Sequence, residues 1–348
     1  MTIGVFAIVL AIAGGWFFLR AMRSPYKNYS ESFKDIEVRH GLRTAAILKH
    51  LEAEGVIRDE YLPLVYMKIA RYNDKIKAGI YEFSKPMSAE QVLDKLIRGD
   101  VVAKSVTIRE GLDRFAAAHI FVQEGFGRDA EWGKLTADPE PIRDIAPEAK
   151  TLEGYLFPDT YKFNPGTPPR AIVQAMVTNF RKHFGGEMNY ITTGLDLHKT
   201  VTLASIVETE ARMPQERPLV ASVYLNRLNR NMLLGADPTV IYALKLAGRW
   251  DGNIHKAGLQ IDSPFNTYRF HGLPPGPIAN PGLASLRAAA VPAKSDFLYF
   301  VARHDGTHAF ATNIADHDRN VQIYQVQWYR DQRAAQQAQA QTKTGTTK

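Results

Sequence analysis

The sequence predicts an α+β protein with three parts: an N-terminal apolar helix, a small α+β region and a larger mixed α+β domain. Three observations support this prediction. An uncharged apolar run opens the chain, a short motif recurs after 70 residues, and long helical patterns in the second half precede two strand-like runs. The chain has 348 residues, 45% of them hydrophobic and 23% charged, which suffices for two or three domains.

The first element is an apolar helix over Ile3–Leu19, a run without a charged residue. At about 1.5 Å per residue it spans roughly 25 Å, slightly less than the roughly 30 Å core of a bilayer. Trp16 and the stem of Arg20 can extend it to the interface. A cleaved signal peptide is the alternative, but no basic segment precedes the run and no clear small-residue cleavage site follows it. We therefore expect an uncleaved membrane anchor.

The charges around this helix conflict with a body outside the cytoplasm. Arg20, Arg23 and Lys27 all follow the helix, whereas only the amino terminus precedes it. The positive-inside rule then favours a cytoplasmic body. A longer, basic N-terminus before this start would remove the conflict.

The second part, residues 36–130, contains an internal repeat. Val38–Leu42 (VRHGL) is echoed by Ile108–Leu112 (IREGL), and each copy predicts a short strand, a glycine turn and an amphipathic helix. Between the copies, Ala78–Phe83 alternates like a strand, and Ser88–Gln91 resembles a capping box. Because this region has no cluster of titratable groups, we do not expect chemistry here.

The third part predicts helices joined by turns, followed by a hairpin. Helical periodicity covers three stretches, Arg170–Phe184, Thr200–Ala211 and Leu219–Met232. Strand-like runs follow at Phe297–Val301 and Thr307–Ala311, and the Asp305-Gly306 pair between them is a hairpin signal. We therefore predict these segments: 1–22 cytoplasmic start and anchor, 23–35 linker, 36–130 repeat region, 131–150 linker, 151–330 main domain and 331–348 disordered tail.

Glu208 is the best candidate for a catalytic acid. It directly follows an apolar helical run, and a poorly solvated carboxyl has the raised pKa that an acid working at neutral pH needs. Glu210 lies about 200° away on the same helix, so the two carboxyls cannot serve one site. The apolar residues flank Glu208 more closely than Glu210. The alternative, that both are solvent-facing helix charges, stays open on this pattern alone.

Two further stretches carry polar residues in unusual settings. Asp237 followed by Pro238 predicts a helix entry, with Asp237 as the N-cap. The segment Ser263–Gly282 is so rich in proline and glycine that no regular element survives there. A rigid loop that carries Asn266, Tyr268 and Asn280 suits hydrogen bonding to sugars. The alternatives are a plain helix cap and a structural Ω-loop.

Composition and spacing argue against several other classes. The absence of cysteine excludes disulfides, thiolate zinc sites and cysteine nucleophiles. The net charge of +7 suits anionic partners without choosing among them. His304 and His308 differ by one residue from a zinc-protease motif, but that motif needs a helix and this segment predicts a hairpin. The connector 212–218 is too long and proline-rich for a helix-turn-helix. We expect no metal, no cofactor and no nucleic acid.

Several motifs in a fixed order together resemble the YceG-like (MltG) family of endolytic murein transglycosylases. The matching residues, from about residue 36 to 325, are Leu152-Glu-Gly154, Phe157–Tyr161, Leu203–Glu208 with Glu210, Glu216-Arg217, Ala221–Val223, Asn226–Leu228, Asp237–Tyr242, Asn266–Tyr268, Gly272–Ile278, Gly306–His308 and His317.

The resemblance implies a single-pass protein of the bacterial inner membrane, with a LysM-like region and a YceG-type catalytic domain in the periplasm. It implies cleavage of the β-1,4 bond after N-acetylmuramic acid within nascent glycan strands, with Glu208 as the catalytic residue and peptidoglycan synthases (penicillin-binding proteins) as partners. The residues to which we assign substrate binding are Glu153, Asn226, Asp237, Asn266, Tyr268 and Asn280. The alternative function is a non-catalytic peptidoglycan-binding scaffold, and a hydrolase is a third.

Overall fold

The computed structural model describes residues 2–39, 41–72, 75–185 and 190–333, with the backbone alone for residues 2–9 and 11. The chain forms two compact units. The first comprises Met1–Val106 and Tyr161–Pro168, and the second comprises Thr107–Thr160 and Pro169–Lys348. The division falls inside the predicted region 36–130, and the domain boundaries that we drew from the sequence stay predictions.

The first unit is a small α+β assembly. Its elements are α1 (Thr2–Arg23), β1 (Lys34–Val38), α2 (Thr44–Ala53), α3 (Tyr61–Ile69), β2 (Gly79–Phe83), α4 (Ala89–Arg98) and most of β3 (Lys104–Thr107) and β4 (Thr160–Phe163). Strands β1 and β2 pair antiparallel, with Lys34 opposite Phe83, and β3 pairs with β4. Alternate residues of β1 and β2 point into one core, where Ile36 and Tyr81 are buried.

The predicted capping box at the start of α4 is confirmed. The Ser88 hydroxyl accepts a hydrogen bond from the Gln91 backbone N–H, and the Gln91 side chain accepts one from the Ser88 N–H. Gly99 ends the helix in the left-handed region, with φ of 77°. Local sequence therefore sets both ends of α4.

Helix α1 contains the apolar run on which the anchor was predicted. Among the residues whose placement is described, no helix is both long and apolar enough to cross a membrane. For residues 3–9 and 11 of this run, only the backbone is described. The membrane anchor stays a prediction. The predicted tail begins with helical residues Asp331–Arg333, and its remainder, 334–348, lies outside the described residues.

The second unit is mainly helical. Its elements are α5 (Arg114–Gln123), α6 (Asp129–Ala137), α7 (Pro169–Phe184), α8 (Leu197–Glu210), α9 (Arg217–Asn229), α10 (Asp237–Leu246), α11 (Leu283–Ala290), β5 (Tyr299–Ala302), β6 (His308–Ala311) and α12 (Ile314–Val321), which continues as a π-helical stretch, Gln322–Gln327. The three helices predicted here are confirmed within a few residues. So is the hairpin, in which β5 and β6 pair antiparallel.

The repeat is visible in the structure. Each copy runs strand, glycine turn, helix and second helix, as β1-α2-α3 and as β3-α5-α6. Gly41 and Gly111 are the matching glycines of the turn that follows the strand in each copy, and both have a positive φ, 84° and 79°. Glycine adopts this conformation without the strain that a Cβ would cause. The second copy thus places a tight turn directly after β3.

Candidate active site

Glu208 lies in the last turn of α8, and its side chain is only 5% exposed. The preceding residues, Leu203 to Val207, are completely buried, so the apolar run leads the carboxyl into the protein as predicted. A carboxylate near a helix C-terminus also meets the negative end of the helix dipole. Both effects disfavour the charged form of Glu208.

Two donors nevertheless reach the Glu208 carboxyl. The backbone N–H of Gly282, at the start of α11, donates to Oε2 at 2.9 Å, and Nη2 of Arg217 donates to Oε1 at 2.8 Å. Burial raises the pKa of Glu208 above its usual range, and the nearby charge of Glu110 adds to this effect. Three groups lower the pKa of Glu208: the Gly282 N–H, the charge of Arg217 and the side chain of Ser285. The effect of burial is larger, so the pKa stays raised. The site therefore favours the acid form and still has hydrogen-bond donors for the anion.

Glu208 opens onto a surface cleft of about 580 Å³. The cleft contains acidic and basic side chains in equal number, together with a short hydroxyl pair between Thr107 and Thr160 at 2.9 Å. Its lining residues are Thr107, Ile108, Arg109, Glu110, Pro158, Asp159, Thr160, Glu208, Ala211, Arg212 and Arg217. An open, polar groove with one buried acid at its wall suits an extended polar polymer.

Glu110 is a second carboxylate in this cleft. Its Oε2 lies 3.4 Å from Nη2 of Arg217, the same atom that binds Glu208. We predicted no chemistry in the region 36–130 because no titratable cluster is visible along its sequence. The role of this region in chemistry stays a prediction, but the glycine turn of the second repeat brings Glu110 to titratable residues that lie far away in the chain.

Asn280 connects the two loops that form this site. Its side-chain oxygen accepts from the N–H groups of Gly154 and Leu156, both at 3.0 Å. Its amide nitrogen donates to the Leu112 carbonyl, and its own backbone pairs with Gly111 and Leu112. The completely buried Asn280 thereby holds the glycine turn after Glu110 against the segment that leads to Gly282.

Comparison with known proteins identifies the family of this chain. The model of the YceG-like family matches residues 36–323, which include Glu110, Glu208 and Arg217. The chain belongs to the YceG-like family. The resemblance identified from the motifs is therefore confirmed.

Relatives match over most of the chain. An endolytic murein transglycosylase of Bacillus subtilis is 33% identical, over 90% of this chain and 91% of its own length. One of Streptococcus pneumoniae is 31% identical, over 91% of this chain and 64% of its own length. A crystal structure of a YceG-like protein from Listeria monocytogenes shares 34% identity and a TM-score of 0.56, covering 83% of this chain and 99% of that one. The mixed α+β fold thus resembles a YceG-like structure, while the LysM-like region stays a prediction.

Within this YceG-like fold, three of the six residues assigned to substrate binding are fully buried. Glu153, Asn266 and Asn280 are at most 1% exposed. Both Glu153 oxygens accept from the Arg114 N–H, and Oε2 also accepts from the Tyr242 hydroxyl. Asn266 donates to two carbonyls of its own loop. These side chains are hydrogen-bonded to protein groups inside the fold, and their assignment to substrate binding stays a prediction.

The other three lie nearer the surface. The Tyr268 hydroxyl donates to Asp237 at 2.6 Å, and both side chains are exposed. Asp237 was predicted to be an N-cap, but it is the first helical residue of α10 and Ala236 is the N-cap. Its carboxylate instead accepts the bond from Tyr268, a contact that the local sequence cannot show. Asn226 donates to the carbonyls of Ser295 and Phe297, beside a separate groove.

Glu210 departs from expectation. We expected Glu208 to be the buried carboxyl of the pair, but burial also raises the pKa of Glu210, to about 7. Glu210 accepts from the Tyr224 hydroxyl at 3.1 Å and lies on the other side of α8. It is not among the residues that line the cleft with Glu208. Access to the cleft, rather than the raised pKa alone, therefore distinguishes Glu208.

The two histidines of the near-miss zinc motif lie on the β5–β6 hairpin rather than on a helix. His308 begins β6 and binds Glu216 through Nδ1 at 2.8 Å. His304 stacks on Trp328. Their side chains therefore have different partners, as the hairpin prediction implies.

Proposed function

We propose that this chain is an endolytic murein transglycosylase, a lyase that cuts peptidoglycan glycan strands internally. The bond cleaved is the β-1,4 bond between N-acetylmuramic acid and N-acetylglucosamine. The observation that supports this proposal is the setting of Glu208: a buried acid at the wall of an open polar cleft, with a raised pKa and two donors. The names of the relatives agree with this chemistry.

In the first step, protonated Glu208 donates its proton to the glycosidic oxygen. The bond between this oxygen and C1 of the muramic sugar breaks, and the glucosamine end leaves as an alcohol. The muramic sugar becomes oxocarbenium-like, with its positive charge opposite the new Glu208 carboxylate. Burial favours the acid form that this step needs.

In the second step, the Glu208 carboxylate takes the proton of the muramic C6 hydroxyl while that oxygen bonds to C1. The product is a 1,6-anhydro end, Glu208 regains its proton, and no water is consumed. Between the two steps the anion is stabilised by the Gly282 N–H and by Arg217. One carboxyl thus acts first as acid and then as base, whereas common glycosidases divide the work between two.

In the cell, we propose that the protein terminates glycan elongation beside peptidoglycan synthases, anchored in the inner membrane with its catalytic domain in the periplasm. Support comes from the apolar N-terminal run and from the family resemblance. Protease shaving of spheroplasts tests the topology. We expect the body to be degraded, and a protected body would contradict a role in the cell wall.

The chemistry is tested with purified full-length chain, glycan strands and mass spectrometry of the products. The wild type should produce 1,6-anhydro ends, and Glu208→Gln should lose at least about 10³-fold in rate, because the amide cannot donate a proton. Glu140→Gln, which breaks an exposed ion pair with Arg143, is the matched control and should cut normally. Reducing ends would indicate a hydrolase, and binding without cleavage by the wild type would indicate a scaffold.

A further inference from the structure

We propose that Glu110 is a positioning residue for Glu208: it shares the Arg217 guanidinium and so keeps the catalytic carboxyl from being held permanently as an anion. This inference rests on the proposed function, since it assigns a second residue to the same site. Glu110 comes from the second repeat, and its counterpart in the first copy is His40.

Arg217 contacts both carboxylates through one atom. This residue opens α9, and its side chain is 9% exposed. Its hydrogen bonds to Glu208 and to Glu110 both come from Nη2, at 2.8 and 3.4 Å. Its buried Nε has no hydrogen-bond partner among the described residues. The guanidinium is therefore not in the two-pronged arrangement that holds a carboxylate most strongly.

Hydrogen bonds of its own turn hold Glu110 in place. The N–H of Gly111 donates to the Asn280 carbonyl, and the N–H of Asn280 donates to the Leu112 carbonyl. These bonds hold the turn against the start of α11. A Cβ added at Gly282 would overlap the Glu110 carboxylate, so that carboxylate packs directly on the backbone that donates to Glu208. The side chain is still 48% exposed, and Glu110 therefore sits at the mouth of the cleft.

Catalysis places opposite demands on Arg217 at its two stages. The proposed reaction needs Glu208 protonated first and ionised second. An arginine bound to Glu208 alone would favour the ionised form throughout and weaken the acid. A second carboxylate gives the guanidinium an alternative partner while Glu208 carries its proton. After the proton leaves, Arg217 is still within reach of the anion.

Other charges line the cleft, and a test must separate Glu110 from them. They are Arg109 from the same turn, Asp159 before β4, Arg212 after α8 and Arg217. Asp159 has its own partner, since it accepts from the Asn179 amide at 2.8 Å. Glu110 is the carboxylate that shares a donor atom with Glu208.

The test measures the titration of the Glu208 carboxyl directly, in the full-length chain. Infrared difference spectra between each protein and the same protein with Glu208→Gln isolate the protonated carboxyl band. We expect Glu110→Gln to lower the titration midpoint by about one pH unit, because a neighbouring negative charge is removed and Arg217 is left to Glu208. Glu110→Asp keeps the charge and should restore most of the wild-type midpoint. Glu140→Gln should leave it unchanged.

The same variants are then assayed for cleavage across pH. In Glu110→Gln the alkaline limb of the pH–rate profile should move to lower pH by the same amount, about one pH unit. At pH values on that limb, the rate should therefore fall about tenfold. An unchanged midpoint in Glu110→Gln would overturn the proposal, as would a loss of rate that is equal at every pH. If the midpoint moves but the wild type forms no 1,6-anhydro ends, the proposed function fails, although Glu110 still sets the protonation of Glu208.

Discussion

Replacing Glu153 by glutamine should make the free energy of unfolding fall much less as the pH rises from 5 to 9. Glu153 is 1% exposed, and burial raises its pKa from 4.5 to about 8, with smaller opposing effects from the Arg114 N–H and the Tyr242 hydroxyl. An acid whose folded-state pKa is raised stabilises the fold below its unfolded pKa. That contribution is lost as pH rises through the folded pKa, here between pH 4.5 and about 8.

The magnitude follows from the two pKa values. A rise from 4.5 to about 8 is a difference of about 3.5, and each pKa unit corresponds to about 1.4 kcal/mol. Between pH 5 and pH 9 the wild type should therefore lose about 4 kcal/mol of unfolding free energy through Glu153. Glutamine has nearly the same shape as the protonated acid and does not titrate, so Glu153→Gln should not show this loss.

The assay is urea unfolding of the full-length chain at both pH values, followed by tryptophan fluorescence, to which the completely buried Trp132 contributes. For each protein, the change in the free energy of unfolding between pH 5 and pH 9 is measured. The change in Glu153→Gln is then subtracted from the change in the wild type. The exposed Glu140→Gln variant should change with pH as the wild type does. If the wild type and Glu153→Gln changed alike within about 1 kcal/mol, the burial argument for Glu153 would be refuted.

The site supports three further predictions. Gly282→Ala should lower the cleavage rate about tenfold, with little loss of thermal stability, because the new methyl group displaces the exposed Glu110 carboxylate; an unchanged rate would contradict the packing. Asn280→Ala should lower the unfolding free energy by about 3 kcal/mol, because buried backbone groups lose their partners; denaturation within about 1 kcal/mol of wild type would argue against this role. Tyr268→Phe breaks an exposed hydrogen bond to Asp237, so it should change the free energy of unfolding by less than about 0.5 kcal/mol. A several-fold higher KM for glycan strands in this variant would support sugar contact at Tyr268, and an unchanged KM would contradict it.

Much of the second unit could be predicted because its signals are local. Helical periodicity located α7, α8 and α9 within a few residues, and Asp305-Gly306 identified the hairpin. Periodicity reports which residues share a face of one element, and that face is where burial stabilises the element. The same reasoning explains why Glu208 could be selected: its apolar neighbours in the helix predicted that its carboxyl would be buried.

Contacts between distant segments were not predictable in this way. Asp237 is not the N-cap because the helix already begins at this residue, and its carboxylate accepts a hydrogen bond from Tyr268, 31 residues later. Glu153 was assigned to substrate from a family motif and Asn280 from its proline-rich loop, and neither pattern shows that the Asn280 amide donates to Glu153, 127 residues away, inside the protein. A side chain's partners depend on which loops meet, and no local pattern encodes that meeting.

By itself, the sequence determined the order of the elements, the family and the acid at the end of α8, because each depends on spacing along the chain. Only the tertiary structure decided that Glu110 belongs to the same site. Arg217 joins it to Glu208 across 107 residues of sequence. The glycine turn after β3 and the Asn280 hydrogen bonds bring these groups together. Charge–charge interactions fall off with distance in space, so the protonation of Glu208 depends on a neighbour that sequence position alone cannot reveal.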